Sequence, residues 1–291
     1  MLFASVTALA LAAGVSARAV SNPVDIMKRT HVAGTVITQC SKPGVLALAY
    51  DDGPYQYTSS LVDTLDAAGV KGTFFYTGTL YGCIYDQSAG VKKAFENGLI
   101  RGEYPSSNVG NFLIEQNGKI RKITTVAEFK WAIAETGLTG FSLRRTHPHM
   151  ASLSAADIQS EMEKVEQAMV NIFGRKPAYM RPPYLETGGE FLSVMEQLNY
   201  TVINDDVDTG DWNNQPPTSS EQKFEQAGAT GLGHIPLMHE TYESTVTTLT
   251  SWLIDWAKTN NLEIVTVAEC LDDADGMYKE GTFEGDGATT C

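Results

Sequence analysis

Apolar and polar stretches alternate along this chain in the rhythm of a strand–helix–strand protein. Val45-Leu46-Ala47-Leu48-Ala49-Tyr50 is apolar over strand length, ends abruptly at Asp51-Asp52, and is turned by Gly53-Pro54. An unbroken apolar run of this length reads as a strand buried on both faces. Residues 58–68 predict a helix with Leu61, Val62, Leu65 and Ala68 on one face, closed by Gly69. A second buried strand is expected over 71–76 and a short helix over 91–96, closed by Asn97-Gly98. From about 101 to 142 the period is lost, apart from a candidate helix over 126–135. That stretch carries Lys119, Arg121, Lys122 and Lys130 in an otherwise acidic chain. The rhythm then resumes with a helix over 155–172, capped by Ser154 and presenting Ile158, Met162, Val165, Met169 and Ile172 on one face. Strands follow over 177–180, 200–203, 235–238 and 262–267, separated by helices over 191–198, 219–227 and 244–259. This alternation predicts an α/β fold with parallel strands, as a sheet or a barrel. The Gly- and Asp-rich tail over 272–291 is expected to be irregular.

Composition narrows the setting. The 291 residues suffice for one large domain, and no repeat or linker divides them. A net charge of -14 with no basic stripe excludes a nucleic-acid partner. Residues 1–19 read as a secretory signal, apolar from Leu2 to Val15 and ending in the small residues around Ser16-Ala17-Arg18-Ala19, although a positively charged start is missing. The run is too short for a comfortable membrane span, and no other stretch is long and apolar enough. Residues 20–39, with Lys28-Arg29 inside them, read as a pro-segment or N-terminal arm. A secreted, extracellular or cell-wall protein is therefore expected. Its four cysteines allow three pairings. Cys40 precedes the first predicted strand and Cys270 follows the last, so a Cys40–Cys270 bridge is favoured, leaving Cys83 and Cys291. Asn199-Tyr200-Thr201 is a glycosylation sequon.

Five polar clusters carry the candidate chemistry, most of them at predicted strand ends, where α/β folds place their sites. Asp51-Asp52 offers two carboxylates whose mutual repulsion favours a metal or proton between them. Thr146-His147-Pro148-His149 offers imidazoles. Met180-Arg181-Pro182-Pro183-Tyr184 offers a guanidinium fixed by a rigid turn and the Tyr184 N–H. Asp205 to Trp212 places acids beside an aromatic wall suited to a sugar. Ile235 to Glu240 ends an apolar strand in His239, a general acid/base candidate. Each taken alone reads as well as a turn, a surface loop or a core histidine. Together they suit metal-assisted hydrolysis.

With those motifs in order, the chain resembles the polysaccharide deacetylases of the NodB-homology type, carbohydrate esterase family four, and within them the fungal chitin deacetylases. Ala49-Tyr50-Asp51-Asp52-Gly53-Pro54 matches the first family motif, with Ala and Tyr where Thr and Phe are usual. Arg181-Pro182-Pro183-Tyr184 matches the third, Asp208-Thr209-Gly210-Asp211-Trp212 the fourth and Ile235-Pro236-Leu237-Met238-His239 the fifth. The resemblance covers about 40–271, less the atypical insertion at about 101–142. It implies a distorted (β/α) barrel, a divalent metal (zinc first, cobalt second) and a chitin or other acetylated polysaccharide substrate, acted on by a monomer. It assigns Asp51 as general base, His239 as the acid for the leaving amine, Arg181 as the group orienting Asp51, and Asp208 as the group tuning His239. The Tyr184 N–H, next to Pro182 and Pro183, would bind the oxyanion, and Trp212 and Leu237 would line the acetyl pocket. Asp52 and His147 would hold the metal.

The second motif departs from the family pattern, which puts another metal histidine four residues before His147. Leu143 stands there, and leucine cannot ligate. His149 follows too closely to copy the missing geometry. The defect adjoins the insertion, which is either a translated intron or gene-model error, or a lineage-specific loop beside a weakened metal site. Two functions stay open: an active deacetylase of chitin, xylan or peptidoglycan, and a carbohydrate-binding protein without catalysis.

Overall fold

The computed structural model of the chain describes residues 32–97, 112–116, 119–123, 146–273 and 276–291. In chain order its strands are Val36–Ile37 (β1), Val45–Ala47 (β2), Ala49–Asp51 (β3), Thr73–Phe75 (β4), Phe112–Gln116 (β5), Lys119–Ile123 (β6), Tyr179–Met180 (β7), Thr201–Ile203 (β8), Val207–Asp208 (β9), Pro236–Leu237 (β10) and Glu263–Val265 (β11). The apolar run at 45–51 is one extended stretch with a change of partner: β2 pairs with β11, and β3 with β4, all in parallel. The Ala47 N–H donates to His234 O and the Asp51 N–H to Met238 O, so the β10 segment lies along the same stretch. Flanked on both sides, Leu46 through Tyr50 are fully buried, which is why the sequence shows no alternation there. Elsewhere β1, β8 and β7 form one parallel sheet and β10 pairs with β9. The predicted α/β class with parallel strands holds.

The helices are Thr58–Ala68 (α1), Ser88–Asn97 (α2), Ala155–Phe173 (α3), Phe191–Gln197 (α4), Pro217–Ala227 (α5), Thr250–Thr259 (α6) and Val267–Cys270 (α7). Their buried faces follow the predicted stripes, Leu61, Val62 and Leu65 on α1 and Ile158, Met162, Val165, Met169 and Ile172 on α3. Ser154 accepts from the Asp157 N–H to cap α3, and Gly69 and Gly174 close α1 and α3 at φ 76° and 79°. The last long helix differs from a simple α-helix. It opens with a π-helical stretch, Thr245–Leu249, before α6 begins. Such wide turns recur at functional sites.

Two strands escape the sequence pattern, β1 and β9. Each has two residues, too few for a period to show. Within the aperiodic stretch, β5 and β6 pair antiparallel as a hairpin. The candidate helix at 126–135, Leu143, and residues 1–31 lie outside the described residues. Both disulfides are present, the favoured Cys40–Cys270 and Cys83–Cys291, with Cα separations of 5.1 and 5.7 Å. Residues 276–291 form no helix or strand but are tied down. The Ala178 N–H donates to Met277 O and the Lys279 N–H to Lys176 O, while the Lys176 and Lys279 ammonium groups both meet the buried Glu166. Among the described residues no helix is long and apolar enough to cross a membrane.

His234, just before β10, is a buried cross-link the sequence reading does not identify. Its Nδ1 faces Asp206 Oδ2 and its Nε2 lies 2.8 Å from Gly228 O. Both partners are acceptors, so only the imidazolium satisfies both. The Asp206 hydrogen bond raises its pKa above the ordinary 6.5, outweighing the opposing effect of burial. A histidine raised on folding stabilises fully below its unfolded value and loses that contribution as pH climbs through the folded value. We expect the contribution of His234 to fade as pH rises from about 6.5 through the raised pKa. Urea denaturation of the native chain and His234→Gln at pH 6 and pH 9 checks this. The native chain should show the larger pH difference.

Candidate active site

The site grows from the C-terminal end of β3. Asp51 closes that strand, and Arg181 follows the end of β7. Arg181 Nη1 donates to Asp51 Oδ1 at 2.8 Å, and both side chains are shut off from water. The guanidinium also donates to Ile203 O, Asn204 O and Pro236 O, and lies 4.7 Å over the Phe75 ring. A buried arginine survives only with its donors paired, and here strand-end carbonyls accept what the carboxylate does not. The expected pairing of Arg181 with Asp51 is present.

One residue on, Asp52 takes φ 67°, a left-handed conformation uncommon for an aspartate. Its Oδ1 lies 3.4 Å from His147 Nε2, and its Oδ2 lies 4.0 Å from His239 Nε2. His147 is itself left-handed at φ 56°. His239 is carried beside Asp51 by the bridge between the two strand ends. Asp51, Asp52, His147, Arg181 and His239 therefore converge.

The residue bound to the ring of His239 is Asp211, not Asp208. Asp211 Oδ1 lies 2.8 Å from His239 Nδ1, and its Oδ2 accepts from the His239 N–H at 2.7 Å and the Thr245 hydroxyl at 2.8 Å. Asp208 instead accepts from the Gly210 N–H and from Trp212 Nε1. The correction has a local cause. Gly210, at φ 69°, turns the chain after β9 so that the acid three residues past Asp208 points inward. Burial opposes charge on His239, but the hydrogen bond and charge of Asp211, with Asp51 and Asp52 behind, lift its pKa to about 9. With Nδ1 directed at the carboxylate, Nε2 is the proton-bearing atom that faces the centre.

The remaining candidates line the rim. Tyr184 is exposed and left-handed at φ 55°, with its ring edge-on to His147 and stacked on His149 at 4.0 Å. His149 turns its Nδ1 to Glu186 at 3.1 Å. Trp212 is half exposed, while Pro182 and Leu237 are buried. Beneath the centre lies Glu240, quoted in the sequence motif but given no role. It is wholly buried, accepts from the Thr58 hydroxyl, and leaves no room for a Cβ on Gly53. Burial, with Asp52 and Asp51 nearby, raises its pKa to about 8 against the Thr58 and Tyr55 hydrogen bonds.

A carboxylate, an imidazole and an arginine gathered at parallel strand ends are the kinds of group that acid–base hydrolysis uses. Residues 38–203 match the polysaccharide deacetylase family, to which the chain belongs. A chitin deacetylase of Pestalotiopsis sp is 34% identical over 93% of this chain and 78% of its own length. One of Colletotrichum lindemuthianum is 34% identical over 89% and 92%. The solved structure of the chitin deacetylase of Colletotrichum lindemuthianum superposes with a TM-score of 0.67 at 32% identity, covering 86% of this chain and 97% of that one.

Members of this family are metal-dependent. Asp52 and His147 are the right kinds of donor, but they are two where a catalytic zinc normally takes three protein ligands. Among the described residues no group of three or more His, Cys, Asp or Glu could hold a metal. The described donors alone do not fit a catalytic zinc.

Asp211→Asn should lower deacetylation by about 10²-fold and move the alkaline limb of the pH–rate profile to lower pH. Asp208→Asn should leave that limb in place. The pair of pH profiles decides which acid tunes His239.

Proposed function

We propose that the chain is a secreted, monomeric hydrolase that removes N-acetyl groups from chitin or chitooligosaccharides and releases acetate. We place its site at the mouth of a distorted (β/α) barrel. The observation that carries this reading is the pairing of two opposite kinds of group across one centre: Asp51 bound to Arg181, and His239 bound through Nδ1 to Asp211. The similarity to proteins named chitin deacetylases supports chitin over xylan or peptidoglycan. Two disulfides suit an oxidising compartment.

In this mechanism water attacks the acetyl carbonyl carbon and gives its proton to Asp51. The Tyr184 N–H binds the oxyanion, and Trp212 and Leu237 enclose the methyl group. As the carbon–nitrogen bond breaks, His239 Nε2 protonates the departing amine, which is otherwise a poor leaving group. Arg181 fixes the direction of Asp51 throughout. Acetate release from chitin oligosaccharides by the purified chain tests the reading. Asp51→Asn and His239→Ala should each lower it by about 10²- to 10⁴-fold.

One observation favours a second reading, a carbohydrate-binding protein with a crippled centre: the described donors number only two. If Leu143 stands where a third ligand belongs, Leu143→His should raise zinc affinity at least about tenfold by calorimetry. Unchanged affinity would reject that alignment. Oligosaccharide binding without acetate release, even with zinc supplied, would favour the binding protein.

A further inference from the structure

The π-helical stretch Thr245–Leu249 opens the last long helix, and its first residue reaches the centre. Thr245 is buried, and its hydroxyl donates to Asp211 Oδ2 at 2.8 Å. The same oxygen accepts from the His239 N–H, and Oδ1 faces His239 Nδ1. Asp211 is thus gripped at three points. Two of them belong to the residue it steers, and the third comes from a separate element. A threonine inside a helix commonly turns its hydroxyl back to the carbonyl one turn earlier, as Thr247 and Thr259 do further along. Thr245 turns to the carboxylate instead.

The stretch is also pinned from the side of β3. The Thr250 N–H closes the π turn on Thr245 O. The Thr250 hydroxyl donates to that same carbonyl at 2.8 Å, which commits its one proton. In its 3.1 Å contact with the Tyr50 hydroxyl, Tyr50 is then the donor. Tyr50 is wholly buried in β3 beside Asp51, and burial pushes its phenol pKa up, so it keeps that proton. It stands where the first family motif usually has Phe, so the anchoring hydroxyl is a feature of this chain. Hydrogen bonds therefore run from Tyr50 through Thr250 and Thr245 to Asp211. They tie the strand that ends in Asp51 to the acid that bears on His239.

We propose that Thr245 is a positioning residue for His239: its hydroxyl, set by the π turn and the Tyr50 anchor, holds the Asp211 carboxylate on Nδ1 so that Nε2 stays aimed at the centre. The inference rests on the reading of His239 as the acid of the proposed hydrolysis, while the hydrogen bond itself is observable without turnover.

The test compares the native chain with Thr245→Val and Thr245→Ser. It measures kcat and KM for acetate release from chitin oligosaccharides. It also follows the Nδ1–H proton resonance of His239 in protein carrying isotope-labelled histidine, assigned by its loss in His239→Gln. Thr245→Val should lower kcat by a factor of about 3 to 30 with KM little changed, and Thr245→Ser should restore it. In an Asp211→Ala background Thr245→Val should cost nothing further, because the hydroxyl acts through that carboxylate. The resonance should broaden or move upfield in Thr245→Val and return in Thr245→Ser. Thr245→Ala takes the place of Thr245→Val if the latter does not fold. An equal loss of kcat in the Val and Ser variants, an undiminished loss in the Asp211→Ala background, or an unmoved resonance in Thr245→Val overturns the assignment. A resonance that responds in a native chain releasing no acetate supports the positioning role while rejecting the deacetylase reading. Acetate release with an unmoved resonance does the reverse.

Discussion

The buried pair of Arg181 and Asp51 is the constraint on which the site depends. The backbone ladders near it are short, β3 with β4, β10 with β9, and β7 with β8 and β1, with a single bridge joining the ends of β3 and the β10 segment. One guanidinium crosses these groups, bonding Asp51 at the end of β3 and carbonyls at the end of β8, just after it and at the start of β10, with the Phe75 ring of β4 beneath it. Leaving such a charge unpaired costs about 3–5 kcal/mol, a large share of a domain's net stability. The strand ends therefore cannot drift apart without exposing or orphaning it. The geometry of the reactive carboxylate is thus secured by the same interaction that holds the strand ends together.

Around that anchor the backbone carries strain. Asp52, His147 and Tyr184 are all left-handed, and Asp52 and His147 face each other. Such conformations cost about 1–3 kcal/mol each and persist only where neighbours over-determine them. Two of those neighbours can be named. Glu240 fills the space that a side chain on Gly53 would occupy, immediately after Asp52. Thr146, immediately before His147, is held by its N–H and hydroxyl on Glu161.

What the sequence revealed followed the length scale of its signals. An apolar run of six residues, helical stripes of eleven to nineteen, and glycine closures give periodic evidence over many positions, and those elements stand as expected. Strands β1 and β9 have two residues each and give none. The convergence of Asp51, Asp52, His147, Arg181 and His239 was legible because each ends or follows an apolar strand or motif turn. The partner of His239 was not. Asp208 and Asp211 stand three apart in one acidic segment, and only the left-handed turn at Gly210 decides which faces inward. His234 and Glu240 gave no signal, because a lone buried polar residue becomes meaningful only when its partners are seen.

The assignment of Asp211 changes how the two proton tasks are kept apart. Asp51 and His239 are neighbours across a strand bridge. Arg181 takes one carboxylate oxygen of Asp51, and Asp211 takes Nδ1 of His239. Each reactive group is thereby bound to a dedicated counter-charge on its far side. In the proposed mechanism these distinct environments suit distinct roles for the pair, the separation that acid–base hydrolysis needs. Asp52 faces both histidines, with Oδ1 3.4 Å from His147 Nε2 and Oδ2 4.0 Å from His239 Nε2, so its carboxylate is shared between the two imidazoles.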